Sequence, residues 1–280
     1  MFFTGIIILK ILLKMIINCE KMNRKNFIKR YRLVIDIWNN KIHSEINKYI
    51  IIERNGKKYK CLNISSYNYL GLQNIIKYEF NKYKKNINNA TISEINELEY
   101  KISKFMNIEK CRIFNTGYGG NVFGIKKILK NNSIIFSDSS CHRSIVDGIK
   151  QKLNLKIIIF DHNNMIDLEK KIQKYKKYDN EKWILTEGLF SMEGKYCSLK
   201  KIIEIKNKYN CLLYLDEAHS FGSLGKNGRG LCDELNIDTK NIDVFYGSFS
   251  KTFQTYGSYV GGKKKFIDRI DNRNLNFPSI

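Results

Sequence analysis

Short apolar runs alternate with stretches of helical periodicity from Cys111 onward. The runs are rich in β-branched and aromatic residues and read CRIF, SIIF, KIIIF, KWILT, CLLYLD and DVFYG. The helical stretches between them span Asn121–Lys130, Ser144–Leu153, Ile166–Tyr175 and Leu199–Tyr209. Strands that alternate with helices of about ten residues form βαβ units. We therefore predict an α/β fold with a mostly parallel sheet covered by helices on both faces.

The beginning of the chain has a different pattern. It opens with the apolar stretch MFFTGIIILKILLKMIIN, in which Lys10 and Lys14 lie on one helical face. The free-energy gain from inserting the apolar residues into a bilayer roughly cancels the cost of the two lysines. Three alternatives stay open: a spanning anchor, a helix in the membrane interface and a buried core helix.

The pattern divides the chain into four segments. Extended stretches around Tyr49–Ile52 and Tyr59–Ile64 predict small strands that follow a basic helical segment. We predict an apolar segment and possible membrane anchor over 1–25, an N-terminal helix with small strands over 26–72, a large domain over 73–270 and a short tail over 271–280.

Composition narrows the possible partners. Lys and Arg number 49 against 27 acidic residues, a formal charge of +22, which is compatible with nucleic acid, anionic membrane or a phosphorylated substrate. Lys, Asn and Ile dominate nearly everywhere, which favours a chain-wide compositional drift, so we expect no nucleic-acid partner. The seven cysteines stand singly with no CxxC pair, which is typical of a reducing compartment and predicts no metal site.

Polar and glycine residues follow the predicted strands. They are NTGYGG from Asn115, DSSCH from Asp138, DHNN from Asp161, EGLFS from Glu187, DEAH from Asp216 and SFSKT from Ser248. Because ligands bind at the carboxyl ends of strands in such sheets, these residues predict a site at one sheet edge.

The DEAH tetrapeptide, Asp216–His219, also occurs where a helicase holds magnesium. That function needs a GxxxxGK[ST] phosphate loop. The chain has none, since Ser250 stands where a glycine must precede Lys251 and Asn227 follows Lys226. The helicase hypothesis is therefore rejected.

Lys251 is better interpreted as an amine that forms an imine with a carbonyl cofactor. Pyridoxal 5′-phosphate needs such a lysine and a carboxylate that keeps its ring nitrogen protonated, and Asp216 lies one strand and one crossover earlier. His219 is placed to reach the 3′-oxygen. The phosphate would take backbone N–H groups of Gly117 and Tyr118 at a helix start, together with the hydroxyl groups of Ser248 and Ser250.

Several motifs, in order along the chain, resemble those of the α-oxoamine synthases. They are SYNYLGL, FNTGYGGN, SDSSCHRS, FDHNNMIDLEK, LTEGLFSMEGKYCSL, LYLDEAHSFGSLGKNGRG and DVFYGSFSKTFQTYGSYVGG, and they cover roughly Leu62–Ile270. This family comprises fold-type I pyridoxal-phosphate transferases that condense an amino acid with an acyl-CoA. EGLFSMEG, LYLDEAHSFGSLGKNGRG and GSFSKTF are most similar to the catalytic subunits of serine palmitoyltransferases, whose noncatalytic partner subunits lack the imine lysine.

The resemblance implies a role for each matching residue. Lys251 carries the cofactor, Asp216 pairs with the ring nitrogen and His219 with the 3′-oxygen, while His142 stacks over the ring. Ser191 matches a hydroxyl group near the 3′-oxygen, and Gly117, Tyr118, Ser248 and Ser250 match the phosphate cup. His162 belongs to a recurrent motif, for which a structural hydrogen bond is expected.

The resemblance also implies a reaction. L-serine displaces Lys251 from the cofactor, the freed lysine removes the Cα proton, the carbanion attacks a long-chain acyl-CoA such as palmitoyl-CoA, and loss of the carboxylate gives 3-ketosphinganine, the first step of sphingolipid biosynthesis. A homodimer or a heterodimer with a homologous subunit is expected. The expected location is the cytosolic face of the endoplasmic reticulum membrane, with association through residues 1–18, or otherwise the cytoplasm.

Two alternatives remain beside that reaction: a sister enzyme (5-aminolevulinate or 8-amino-7-oxononanoate synthase) and a degenerate, noncatalytic partner subunit. Three departures from the family pattern favour reduced activity. The run KKNINNATISEINELE lacks a Gly-rich, Arg-containing segment, and Gln254 and Ser258 replace glycines. We also expect the small C-terminal domain to be missing, because the chain stops at Ile280.

Overall fold

A computed structural model describes residues 41–42, 49–54, 56–62, 67, 69–70 and 92–270. The chain divides into two compact units, residues 1–66 and 67–280. The predicted apolar segment, most of the basic helical segment and the predicted tail lie outside the described residues.

The first unit contains a three-stranded antiparallel sheet in the order β1-β2-β3 within its described residues. The strands are β1 (Lys41–Ile42), β2 (Tyr49–Arg54) and β3 (Lys57–Leu62). Arg54 pairs with Lys57 across a two-residue turn, in which Gly56 has a φ of 74°, a value that glycine adopts without steric cost. The small strands predicted in this region are therefore confirmed.

The described part of the second unit alternates strands with helices. The strands are β4 (Lys110–Phe114), β5 (Ile134–Asp138), β6 (Lys156–Phe160), β7 (Lys182–Glu187), β8 (Leu189–Phe190), β9 (Lys195–Tyr196), β10 (Leu212–Asp216), β11 (Val244–Ser248) and β12 (Ser258–Gly262). The helices are α1 (Ile92–Met106), α2 (Gly117–Ile128), α3 (Arg143–Lys150), α4 (Met165–Gln173), α5 (Leu199–Lys208), α6 (Leu231–Glu234) and α7 (Lys264–Ile267). The six strands predicted from Cys111 onward lie within two residues of their observed bounds.

Helix α2 begins four residues earlier than its apolar spacing predicts. The Thr116 side chain caps the helix by accepting the N–H of Gly119 at 3.0 Å, and such a cap satisfies an otherwise unpaired backbone donor. The helix therefore includes the glycine-rich run that starts at Gly117.

The central sheet of the described residues has seven strands in the order β4-β12-β11-β10-β7-β5-β6. Strands β5, β6, β7, β10 and β11 pair in parallel, as predicted. Strand β12 was missed by the sequence pattern, and it runs antiparallel to both β11 and β4. Its sequence SYVGG ends in two glycines, which weaken the local β signal, so pairing on both sides decides its conformation.

Apolar clusters cover both faces of this sheet. Consecutive residues of β7 point to opposite faces, with Ile184 in one cluster and Trp183 and Leu185 in the other. Leu168 of α4 and Ile202 of α5 pack on the first face, while Ile125 and Ile145, of α2 and α3, pack on the second. Helices on both faces are confirmed.

A buried ion-pair cluster centred on Asp243 joins the start of β11 to its neighbours. Asp243 is 1% exposed, and its carboxylate lies 2.6 Å from Lys263 Nζ and 3.1 Å from Lys206 Nζ. It also accepts the N–H of Leu213 at 2.9 Å. Lys206 is itself buried, so each of these two charges depends on the other for compensation.

We expect Asp243→Ala to lower the free energy of unfolding of the full-length chain by about 3–5 kcal/mol, because Lys206 would be left buried without its counter-ion. Urea unfolding followed by circular dichroism measures this loss. Glu204→Ala is the control, since its pair with Lys201 is exposed and should contribute at most about 0.5 kcal/mol. Equal small losses in both variants would contradict the assignment.

Candidate active site

The carboxyl ends of the parallel strands bring the predicted polar residues to one edge of the sheet. Glu187 and Asp216 end β7 and β10 and are Cα partners in the parallel register. Asp216 is also paired with Tyr246 of β11, two residues before Ser248. Because strand register is set by the buried faces, the positions of these side chains follow from the core.

Lys251 lies in the segment that follows β11. Its Nζ is 2.6 Å from Nε2 of His219, and Nδ1 of the same imidazole is 2.8 Å from the hydroxyl of Tyr69. Burial lowers the pKa of Lys251, whereas the negative charges of Asp216 and Glu187 oppose that shift. Burial and the nearby Lys251 charge lower the pKa of His219 to about 3. At neutral pH the lysine therefore contacts an uncharged imidazole.

Asp216 lies 3% exposed at the same sheet edge. Its Oδ2 accepts from Asn121 Nδ2 at 2.6 Å and its Oδ1 accepts the N–H of Ala218 at 2.9 Å. Burial raises the pKa of Asp216, and the positive charge of Lys251 is the largest influence in the opposite direction. The carboxyl group and the amine thus act on each other, as expected for two groups that face one small ligand.

His142 is the N-cap residue of α3 and is exposed. Its Nδ1 lies 2.7 Å from Ser144 Oγ. Ser144 Oγ accepts from Asn121 Nδ2 at 2.9 Å. The Ser144 backbone N–H donates to His142 Nδ1 at 3.2 Å, so Nδ1 is an acceptor and the Ser144 hydroxyl donates to it. In the neutral imidazole the ring hydrogen therefore lies on Nε2. Asn121 links Asp216 to the His142 ring through Ser144.

The residues predicted to form a phosphate cup lie close together at the start of α2. Ser248 Oγ and Ser250 Oγ lie 2.8 Å apart, and Tyr246 donates its hydroxyl to the Gly117 carbonyl at 2.7 Å. A Cβ at Gly117 would meet both Ser248 Oγ and Tyr246 Oη at 3.3 Å. Gly117 thus permits the hydroxyl groups of Ser248 and Tyr246 to approach a helix N-terminus closely. Backbone N–H groups at such a terminus favour an anion.

The remaining predicted residues lie apart from these contacts. The exposed side chain of Tyr118 donates its hydroxyl to Asp147, so only its backbone N–H is available to the cup. Ser191 is exposed in the turn after β8, and its placement near a cofactor oxygen stays a prediction. His162 contacts Asp138 at 2.9 Å through Nδ1, which is the kind of structural hydrogen bond expected for it.

The departures at Gln254 and Ser258 have local consequences. Gln254 has a φ of 53°, in the left-handed region that disfavours side chains with a Cβ, and its amide donates to the Lys251 carbonyl at 2.5 Å. Ser258 is buried and donates to the Thr116 carbonyl at 2.9 Å. Gln254 thus bonds to the backbone of Lys251, and Ser258 bonds to the residue that precedes Gly117.

Three functional candidates have no role assigned by the sequence analysis: Asn121, Tyr69 and Glu187. Asn121 and Tyr69 stand inside motifs quoted above, FNTGYGGN and SYNYLGL, so a glycine- or tyrosine-rich motif is the available signal. Glu187 follows a predicted strand. The sequence does not show which side chains contact each other, since 150 residues separate Tyr69 from His219 and 95 separate Asn121 from Asp216.

Among the described residues, no group of three or more His, Cys, Asp and Glu side chains is arranged to hold a metal ion. The helices in the same part of the chain are each too short or too polar to span a bilayer.

Glu217, the second residue of the DEAH tetrapeptide, is fully buried beside this edge. It accepts the hydroxyl of Ser220 and, at 3.1 Å, the N–H of Leu231. Burial raises its pKa from 4.5 to about 7, and the negative charge of Asp216 adds to the shift. Glu217 therefore ties the segment after β10 to the start of α6.

Comparison with known proteins gives concordant matches. The family model for aminotransferase class I and II matches residues 59–279. Serine palmitoyltransferase 2 of Saccharomyces cerevisiae is 34% identical over 250 residues, 82% of this chain and 44% of that protein. A putative 8-amino-7-oxononanoate synthase of Acetivibrio thermocellus is 33% identical over 229 residues, 78% of this chain and 58% of that protein.

Among solved structures, SPT (serine palmitoyltransferase) with its PLP internal aldimine has a TM-score of 0.71 at 25% identity, covering 88% of this chain and 64% of that chain. The chain spans about half the length of the curated relatives it matches.

Glu217 predicts a pH dependence of stability. Its pKa is raised on folding, so its contribution is fully present below about pH 4.5 and is lost as pH rises through about 7. Relative to Glu217→Gln, the wild type should lose up to about 3 kcal/mol between pH 4.5 and 7.5, because one proton contributes about 1.4 kcal/mol per pH unit.

Urea unfolding at a series of pH values measures that difference. The exposed Glu204→Gln variant is the control and should follow the wild type at every pH. A wild type that gains stability relative to Glu217→Gln as pH rises would contradict the direction.

Proposed function

This chain belongs to the aminotransferase class I and II family, as one of its α-oxoamine synthases, and from that premise we propose that it is a pyridoxal-phosphate-dependent acyltransferase. The reaction is the decarboxylative condensation of L-serine with a long-chain acyl-CoA to 3-ketosphinganine. The observation that carries the proposal is the electrostatic interaction of a partly buried amine, Lys251, with a buried carboxyl group, Asp216, near two serine hydroxyl groups that lie 2.8 Å apart.

Pyridoxal 5′-phosphate fits the residues present. A phosphate group suits the helix start at Gly117 with the hydroxyl groups of Ser248 and Ser250. Asp216 would hold the ring nitrogen, and Lys251 would bind the aldehyde. When bound, the cofactor supplies a carbonyl carbon for the amine and a cationic ring that withdraws electrons from the substrate.

The residues of the chain divide the remaining work. Burial lowers the pKa of Lys251, which makes its amine easier to deprotonate than that of an ordinary lysine, as a nucleophile and a base require. Lys251 would also take the proton from the amino-acid Cα. His219, uncharged and hydrogen-bonded to Tyr69, orients the lysine and offers a hydrogen bond to the 3′-oxygen. His142 covers the ring from the start of α3.

Serine is the favoured amino acid because serine palmitoyltransferase 2 matches 82% of the chain. The second candidate is 8-amino-7-oxononanoate synthesis, favoured by the match to the putative synthase at 33% identity. Assembly as a homodimer or heterodimer belongs to the proposal. Membrane association through residues 1–18 and the endoplasmic reticulum location stay predictions, since those residues lie outside the described part of the chain.

Lys251→Ala should abolish covalent cofactor binding. The wild type mixed with pyridoxal phosphate should show imine absorbance near the visible edge. Reduction with borohydride should remove that absorbance and leave the cofactor mass on Lys251, whereas the variant should show neither the absorbance nor a label at position 251. Mass spectrometry of the digested full-length chain measures the label. Lys226→Ala, at an exposed loop position, is the control and should label as the wild type does. Equal labelling of Lys251→Ala would refute the assignment.

Product mass should identify the substrate. We expect the full-length chain with pyridoxal phosphate to convert L-serine and palmitoyl-CoA into 3-ketosphinganine, detected by mass spectrometry. L-alanine with pimeloyl-CoA and glycine with succinyl-CoA are the parallel incubations for the sister enzymes. If product forms from only one of those pairs, the amino acid of that pair would replace serine as the proposed substrate. A chain that binds no pyridoxal phosphate and forms no product would favour the noncatalytic partner subunit.

A further inference from the structure

Glu187 has a buried carboxyl group at the candidate active site, and the proposed reaction assigns this residue no role. It ends β7 and is 5% exposed. Its Cα is paired in register with that of Asp216 at the end of β10. Residues at one register position of adjacent parallel strands point to the same face, so the two acids lie side by side at the carboxyl edge.

The Glu187 side chain is tied to the backbone of His142. Its Oε1 accepts the His142 N–H at 2.6 Å. His142 caps α3, and the N–H of an N-cap residue has no partner within its own helix. The hydrogen bond therefore joins the start of α3 directly to the central sheet.

The turn before His142 is anchored to the same edge by other bonds, among them the Ser139 N–H, which donates to the Phe160 carbonyl at the end of β6 at 3.0 Å. The Ser140 N–H donates to Asp138 Oδ1 at 2.8 Å, and the Cys141 thiol lies 3.4 Å from the Leu185 carbonyl. The Ser140 bond lies within the turn and the Cys141 bond uses a weak thiol donor. Glu187 is the acceptor that joins the His142 N–H itself to β7, the strand next to Asp216.

The charges that face Glu187 come from several elements. They are Asp216 on β10, Asp138 on β5 and Lys251 after β11. Burial and the charge of Asp216 raise the pKa of Glu187 to about 8, against the opposing influence of the His142 N–H and Lys251. At neutral pH Glu187 is therefore mainly an uncharged acid, which accepts the His142 N–H without placing a second negative charge beside Asp216.

We propose that Glu187 is a positioning residue that holds the His142 imidazole at the cofactor site by accepting the His142 backbone N–H. Ser144 fixes the ring and Glu187 fixes the backbone that carries it. The contribution to cofactor binding rests on the function proposed above, whereas the tether is a property of the chain alone.

Amide hydrogen exchange of the full-length chain without cofactor tests the tether. Glu187→Ala should speed exchange of the His142 amide about tenfold, since a lost hydrogen bond of ordinary strength has that effect. Glu187→Gln keeps an uncharged acceptor and should stay within about threefold of the wild type. Glu217→Ala is the matched buried control, and it should speed exchange at Leu231 and leave His142 unchanged.

Unchanged His142 exchange in Glu187→Ala would overturn the proposal, as would equal acceleration in Glu187→Gln, which would assign the effect to charge. If Glu187→Ala does not fold, Glu187→Asp withdraws the acceptor by one methylene group and should speed His142 exchange; a rate equal to that of the wild type would overturn the proposal.

Pyridoxal-phosphate binding provides the second readout. Glu187→Ala should weaken the affinity, measured by the visible circular dichroism of bound cofactor, about tenfold at pH 7, with recovery in Glu187→Gln. Equal affinities in all three proteins would reject the positioning role even if the tether is present. A wild type that binds no cofactor would refute the proposed function, while the exchange rates would still decide whether Glu187 holds His142.

Discussion

The electrostatic interaction between the buried Asp216 carboxyl group and the partly buried Lys251 amine is the constraint on which the rest of the site depends. Removal from water favours the uncharged form of both groups, and each charge offsets part of that cost for the other. Hydrogen bonds from Asn121 and Ala218 stabilise the carboxylate. A buried pair of this kind is stable only in a surrounding framework that supplies these partners at fixed distances.

The sheet provides that framework. Asp216 and Glu187 lie in one register because β7 and β10 pair along their whole length, and the residues of these strands are almost entirely buried. A slip of one residue would turn the buried apolar side chains toward the wrong face. Packing of the core therefore determines the positions of Asp216 and Glu187 with greater accuracy than a surface loop could provide.

Loop segments adapt to this edge by particular contacts. Thr116 caps α2 while its carbonyl accepts from Ser258, so the start of the helix is tied to β12. Gln254 adopts a left-handed conformation and its side chain bonds to the Lys251 carbonyl. Gln254 and Ser258 thus each fix a loop segment through a side-chain hydrogen bond to a backbone carbonyl.

The sequence by itself determined the α/β alternation, the six strands from Cys111 onward and the sheet edge that carries Lys251 and Asp216. Apolar periodicity reports which face of a local segment is buried, and that information is contained in a few consecutive residues. Only the tertiary structure decided the pairing of β12, whose two glycines give little local signal, and the contacts of Asn121, Tyr69 and Glu187. Those contacts join residues 45 to 150 positions apart, and their partners are chosen by packing and strand register, which no short window of sequence contains.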